Sequence, residues 1–151
     1  MKIKINNRKS FLQAQRRLVW NKADVLEYED PNIWRIDPCG ACINWNEFRK
    51  RTKYGWNIDH ILPRAKGGTD VIHNLCVMHW RNNTSKADDF PKFKMAVCFN
   101  GIENVGCIEE REWDASVLEK LKKTYTYTIN QYVNVLSKKN TTSSKFVTCN
   151  N

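Results

Sequence analysis

Apolar positions fall in short clusters separated by polar, turn-forming stretches, and the spacing inside them changes along the chain. Between Lys9 and Val19 the residues Phe11, Leu12, Ala14, Leu18 and Val19 recur with a helical period, and Ser10 is placed to cap the start. Asp30-Pro31-Asn32 and Asp37-Pro38 are turn sequences, with Trp34 and Ile36 between them. Gly55 to Leu62 reads as a strand, because Trp56, Ile58, Ile61 and Leu62 are β-prone. Pro63 and Gly67-Gly68 announce a loop, and Leu75 to Met78 is a second short apolar run. Trp80 to Ala87 can form a helix, which must end before Pro91. Residues 54–88 are thus predicted to run strand, glycine-bearing loop, strand, helix.

Past Pro91 the pattern weakens. Phe93, Met95, Ala96, Val97, Cys98 and Phe99 form an apolar segment expected to pack back on the core as a strand. Trp113 to Lys123 reads as an amphipathic helix with Val117, Leu118 and Leu121 on one face. Tyr125 to Val135 alternates too loosely for an assignment, and Ser137 to Asn151 reads as a polar, disordered tail. There is no internal repeat. The fold class is α+β, divided into an N-terminal helical flank (1–36), a core domain (37–90), an extension packing on that core (91–136) and the tail (137–151).

Composition narrows the partner. Of 151 residues, 41% are apolar and six are Trp, which supports a real hydrophobic core and excludes a wholly disordered chain. No run approaches the roughly 20 apolar residues of a membrane span, and no secretory signal opens the chain. An intracellular protein is therefore expected, with its six cysteines as thiols or metal ligands rather than disulfides. Lys and Arg number 25 against 16 Asp and Glu, a formal charge of +9, which points to a polyanion and to nucleic acid first. The densest basic patch is Arg49, Lys50, Arg51 and Lys53, followed by Arg64 and Lys66, with Asp59 as the single acid among residues 49–66. Such runs are often no more than solvated surface. This one flanks the chemically unusual segment, so phosphate contact is the expectation.

That segment is Trp56-Asn57-Ile58-Asp59-His60-Ile61-Leu62-Pro63, then Gly67-Gly68, Asn74-Leu75, and Trp80-Arg81-Asn82-Asn83 with Lys86. Phosphodiester hydrolysis needs a base to take a proton from water, and imidazole titrates in the right range. It also needs positive charge opposite the phosphorane and the leaving oxygen, which a divalent ion supplies. Mg²⁺ accepts few protein oxygens and keeps several waters, so one carboxylate and one amide suffice. Neighbours on a strand face opposite ways, so Asp59 can meet a metal while His60 meets the water. Separately, Cys39-Gly40-Ala41-Cys42 and Cys76-Val77-Met78-His79 have the spacing of a Cys₃His zinc site. The alternative is a set of small buried thiols.

The segment resembles the HNH endonuclease family, whose ββα-metal (His-Me finger) motif is strand, loop, strand, helix. The Asp-His pair, the proline after it, Gly-Gly, Asn-Leu and the terminal Asn-x-x-Lys stand in the family's order, most closely over residues 54–88, with short helical and irregular flanks outside. The resemblance implies that His60 is the general base, that Asp59 and Asn83 ligate one divalent ion, and that Asn74 braces the loop and orients His60. It implies phosphate contacts from Lys86 and Arg81, and a zinc knuckle is common in the family. Asn in place of a third His favours Mg²⁺ or Mn²⁺. The implied partner is double-stranded DNA; an RNA substrate and a non-catalytic binding module stay open, as does a homodimer for a two-strand cut.

Overall fold

The computed structural model describes residues 7–142, in the order α1 (Asn7–Asn21), β1 (Asp24–Val25), β2 (Trp34–Ile36), β3 (Cys42–Asn44), β4 (Trp56–His60), β5 (Leu75–His79), α2 (Trp80–Lys86), β6 (Lys92–Phe99), β7 (Asn104–Glu112) and α3 (Ala115–Thr142). The strands make three small antiparallel sheets, β1-β2-β3, β4-β5 and β6-β7.

The β4-β5 hairpin is central, paired from Trp56 opposite His79 to His60 opposite Leu75. All five residues of β5 are buried because the hairpin is covered on both faces. Leu75 and Val77 pack with Val19, Trp20, Ile43 and Trp56, while Cys76 and Met78 pack with Phe93, Met95, Trp113 and Leu121. A strand covered twice reads as a continuous apolar run, which is why Leu75 to Met78 shows no alternation. On β4 the alternation is kept: Trp56 and Ile58 join the α1 side, which sends His60 the same way and Asp59 the other. Burying an indole removes roughly 200 Å² from water, about 5 kcal/mol gross. Trp20 against Trp56, with ring centroids 4.9 Å apart, therefore anchors α1 to the hairpin.

Ile61 and Leu62, expected to extend β4, instead turn into the connecting loop. Ile61 N–H donates to the Asn74 carbonyl at 2.9 Å. The Asn74 side chain accepts from Leu62 N–H at 2.8 Å and donates to the carbonyls of Leu62 and Thr69. Glycine is required at position 68, where a Cβ would lie 1.8 Å from the Leu62 carbonyl oxygen.

Several elements had no counterpart in the hydrophobic pattern. β1, β2 and β3 hold two or three residues each, too short for a period to register. β7 ends in Glu109-Glu110-Arg111-Glu112 and is held by its ladder with β6 rather than by an apolar face. Helix α1 is already formed at Asn7, so Ser10 lies inside it and is not its cap. Helix α3 continues past Lys123 through non-helical angles at Tyr125 (φ −124°, ψ 37°) and buries Ile129. It runs to Thr142, so the first part of the expected tail is helical; residues 143–151, with Cys149, lie outside the described residues. No helix is long and apolar enough to cross a membrane, among the described residues.

Candidate active site

The end of β4 and the last turns of α2 meet through a buried lysine. Lys86 is fully buried, and its Nζ lies 3.0 Å from Asp59 Oδ2 and donates to the His60 carbonyl at 3.0 Å. The helix directly follows β5 because His79 caps it, Nδ1 accepting from Arg81 N–H at 3.2 Å. Asn83 stands one turn before Lys86, hence on the helix face turned toward β4. It is half-buried, and its amide has no hydrogen-bond partner among the described residues. Burial pushes the Asp59 carboxyl up, and the Lys86 ammonium opposes that shift. The Asp59 side chain keeps 14% exposure, with Oδ2 buried against the Lys86 ammonium. One carboxylate and one unpartnered amide form the kind of sparse oxygen set that a hard ion retaining its waters accepts.

His60 sits on the opposite side of β4. Its Nε2 lies 2.8 Å from Asp70 Oδ1, and Arg64 donates to the same oxygen. The hydrogen bond from His60, with help from Arg64, holds the Asp70 carboxyl below the usual carboxylate range. An ionised carboxylate only accepts, so Nε2 carries the ring proton and Nδ1 is left as the basic nitrogen. The ring is 21% exposed and opens onto a groove between β4 and α1. Asn74 therefore acts on His60 indirectly, by fixing the backbone of the loop that carries Asp70.

The structure does not gather the four residues expected to hold zinc. Both ring nitrogens of His79 are committed, Nδ1 to Arg81 N–H and Nε2 to the Lys53 carbonyl at 3.0 Å, and burial lowers the ring's pKa. Burial also raises the thiols of Cys39, Cys42 and Cys76, that of Cys42 to about 12. Among the described residues no three His, Cys, Asp or Glu side chains gather around a common ion position. Asp37 ties this corner instead. Its Oδ1 accepts from Cys39 N–H and Ala41 N–H, and its Oδ2 from His79 N–H and the Asn82 amide, all at 2.8–3.0 Å. Asn82 then bonds Ala96 and Val97 of β6 at 2.8–2.9 Å, so it is structural where Asn83 is free.

The basic residues divide. Arg49, Lys50, Arg51 and Arg81 are exposed. Lys53 pairs with Glu103, Arg64 with Asp70, and Lys66 donates to the Asp88 carbonyl. Lys86, expected on phosphate, has no exposed surface and serves Asp59 and His60 instead. The sequence reading missed Asp37, Asp70 and the pair Arg16-Arg17. Asp70 had a signal, being the only acid between His60 and Asn74.

A family model described as HNH endonuclease matches residues 39–89. Neither the curated proteins nor the solved structures give a significant match.

Proposed function

We propose that this protein, whose residues 39–89 match the HNH endonuclease family model, is a metal-dependent endonuclease that hydrolyses DNA phosphodiester bonds with His60 as general base. The observation that carries this reading is the pair of adjacent residues facing opposite ways: His60 held through Nε2 and lining a groove, and Asp59 held by a buried lysine with its side chain still 14% exposed.

A water in the groove gives its proton to Nδ1 of His60 while its oxygen attacks phosphorus. The bond to the 3′ oxygen breaks, and that oxygen takes a proton from solvent, leaving 5′-phosphate and 3′-hydroxyl ends. Asp70 keeps the imidazole in the tautomer and orientation this requires, and stabilises the imidazolium that forms. Asp59 and Asn83 would hold a Mg²⁺ or Mn²⁺ ion, which when bound supplies charge stabilisation at the phosphate and the leaving oxygen. Lys86 keeps Asp59 and the His60 backbone in fixed relation. Arg49, Lys50, Arg51 and Arg81 contribute affinity without sequence information.

The test is plasmid cleavage by wild type and His60→Ala with Mg²⁺, Mn²⁺ or EDTA. Metal-dependent nicking or linearisation that disappears in the variant is the expected result. Near wild-type cleavage by His60→Ala removes His60 from the role. Binding without cleavage by wild type in either metal overturns the DNA nuclease reading in favour of an RNA substrate or a binding module.

A further inference from the structure

The groove onto which His60 opens has a volume of about 490 Å³ and is bounded on its far side by α1, which lies outside the matched family segment. Its apolar surface comes from Leu12, Phe48 and Ile58, and its cationic edge from Arg16 and Arg49. Leu12 is 52% exposed, a large apolar side chain held in water at the groove's lip.

The arginines around it are unusual in their surroundings. Arg16 lies over the rings of Trp45 (4.2 Å) and Phe48 (4.9 Å), Arg17 over Trp45 (3.5 Å), and Arg49 over Phe48 (5.2 Å). None of the three has a carboxylate within ion-pair distance among the described residues. Arg16 Nε is buried with no acceptor, and the Arg16 guanidinium pKa is lowered by burial and by Arg17. Three guanidiniums are therefore held close together on aromatic faces, and the carboxylate that lines the groove, Asp70, is paired with His60 and Arg64 instead. Such a cluster is a cost in the free protein that an anionic ligand offsets.

A phosphate alone would need the cations and not the apolar wall. A nucleobase needs both: an apolar wall to lie against, here Leu12 and Ile58 beside the arginine-covered ring of Phe48, and flanking phosphates to meet Arg16 and Arg49. We propose that this groove takes one unstacked base of a DNA strand, next to the phosphate that His60 attacks, so that the substrate is single-stranded or locally opened DNA. Calling that phosphate the attacked one rests on the nuclease reading; the base site itself does not.

The test is binding in EDTA of a short single-stranded oligonucleotide carrying one 2-aminopurine, whose emission reports unstacking and contact with aromatic rings. Wild type should change the emission. Leu12→Glu, at an exposed position where the fold is not at risk, and Arg16→Gln should each lose that change and weaken binding roughly ten-fold. Emission that stays constant on binding, or changes equally in wild type and both variants, overturns the base site. Cleavage of the same single-stranded oligonucleotide, run in parallel with Mg²⁺, separates the two ideas. An emission change without cleavage sinks the nuclease reading and keeps the groove. Cleavage with no emission change sinks the groove and keeps the nuclease.

Discussion

Asp37 and Asp59 are both buried carboxylates in one small domain, and they have opposite surroundings. Asp37 accepts four N–H bonds, two on each oxygen, and has 1% exposure. Asp59 has the Lys86 ammonium 3.0 Å from one oxygen and a bond from His60 N–H, and its side chain keeps 14% exposure. Burial raises both carboxyls. The shift therefore does not distinguish a structural acid from a functional one, and the completeness of hydrogen bonding does. A closed shell leaves no capacity for a ligand, whereas a half-closed one beside a groove has it.

The largest expected effect is on cleavage. His60→Ala should lower it by roughly 10²–10⁴-fold with DNA binding kept; a plasmid assay beside a binding titration reads both. Asp59→Asn preserves shape and should lower cleavage by about 10²-fold or more, with little change in DNA affinity. Cleavage by this variant with an unaltered Mg²⁺ titration would put Asp59 in the same class as Asp37. Asp37→Ala should do the reverse. Each buried donor left without an acceptor costs about 1–3 kcal/mol, so a loss of about 3–5 kcal/mol in unfolding free energy is expected. Cleavage per folded molecule should be unchanged, and denaturant unfolding with activity normalised to the folded fraction checks both. Asp70→Ala frees the imidazole without removing it, and a loss of about ten-fold in cleavage is expected from poorer orientation.

The smallest effect is a titration. A carboxyl whose pKa is depressed by folding keeps its contribution above its unfolded value, and loses it as pH falls through the lower folded one. Asp70 is such a group, so its contact with His60 should persist as pH falls past about 3.9, where a free aspartate is half protonated. Carboxyl chemical shifts followed by NMR read this directly, and an Asp70 midpoint at or above the free value would remove the depression argued here.

How much of this was legible depended on separation along the chain. Strand β4, the glycine loop, β5 and α2 lie within residues 54–88, and their order follows from local pattern alone. Asn74 was read as the loop's brace, and its three side-chain bonds to residues 62 and 69 fit that reading. Lys86 was misread because a lysine's position says nothing of burial; only the packing of α2 on β4 shows that it points inward. Asn82 and Asn83 are chemically identical neighbours, and a helical rotation assigns one to Asp37 and β6 and the other to the open side. Asp37 meets Asn82 across 45 positions, and α1 reaches Phe48 only in the folded chain. No local period encodes such meetings. The Cys and His spacing misled for the same reason: it fits a tetrahedron on paper, while His79 spends both nitrogens on backbone groups.

Asp37 joins the turn before β3, the start of α2 and, through Asn82, the strand β6, using amide hydrogens alone. Chelation cannot dissolve that joint. On the proposed chemistry, a chelator stops cutting while leaving the architecture standing, so the enzyme can be prepared, stored and laid on DNA as intact, silent material. Adding magnesium then starts every molecule together, with no refolding delay between the ion's arrival and the first broken strand.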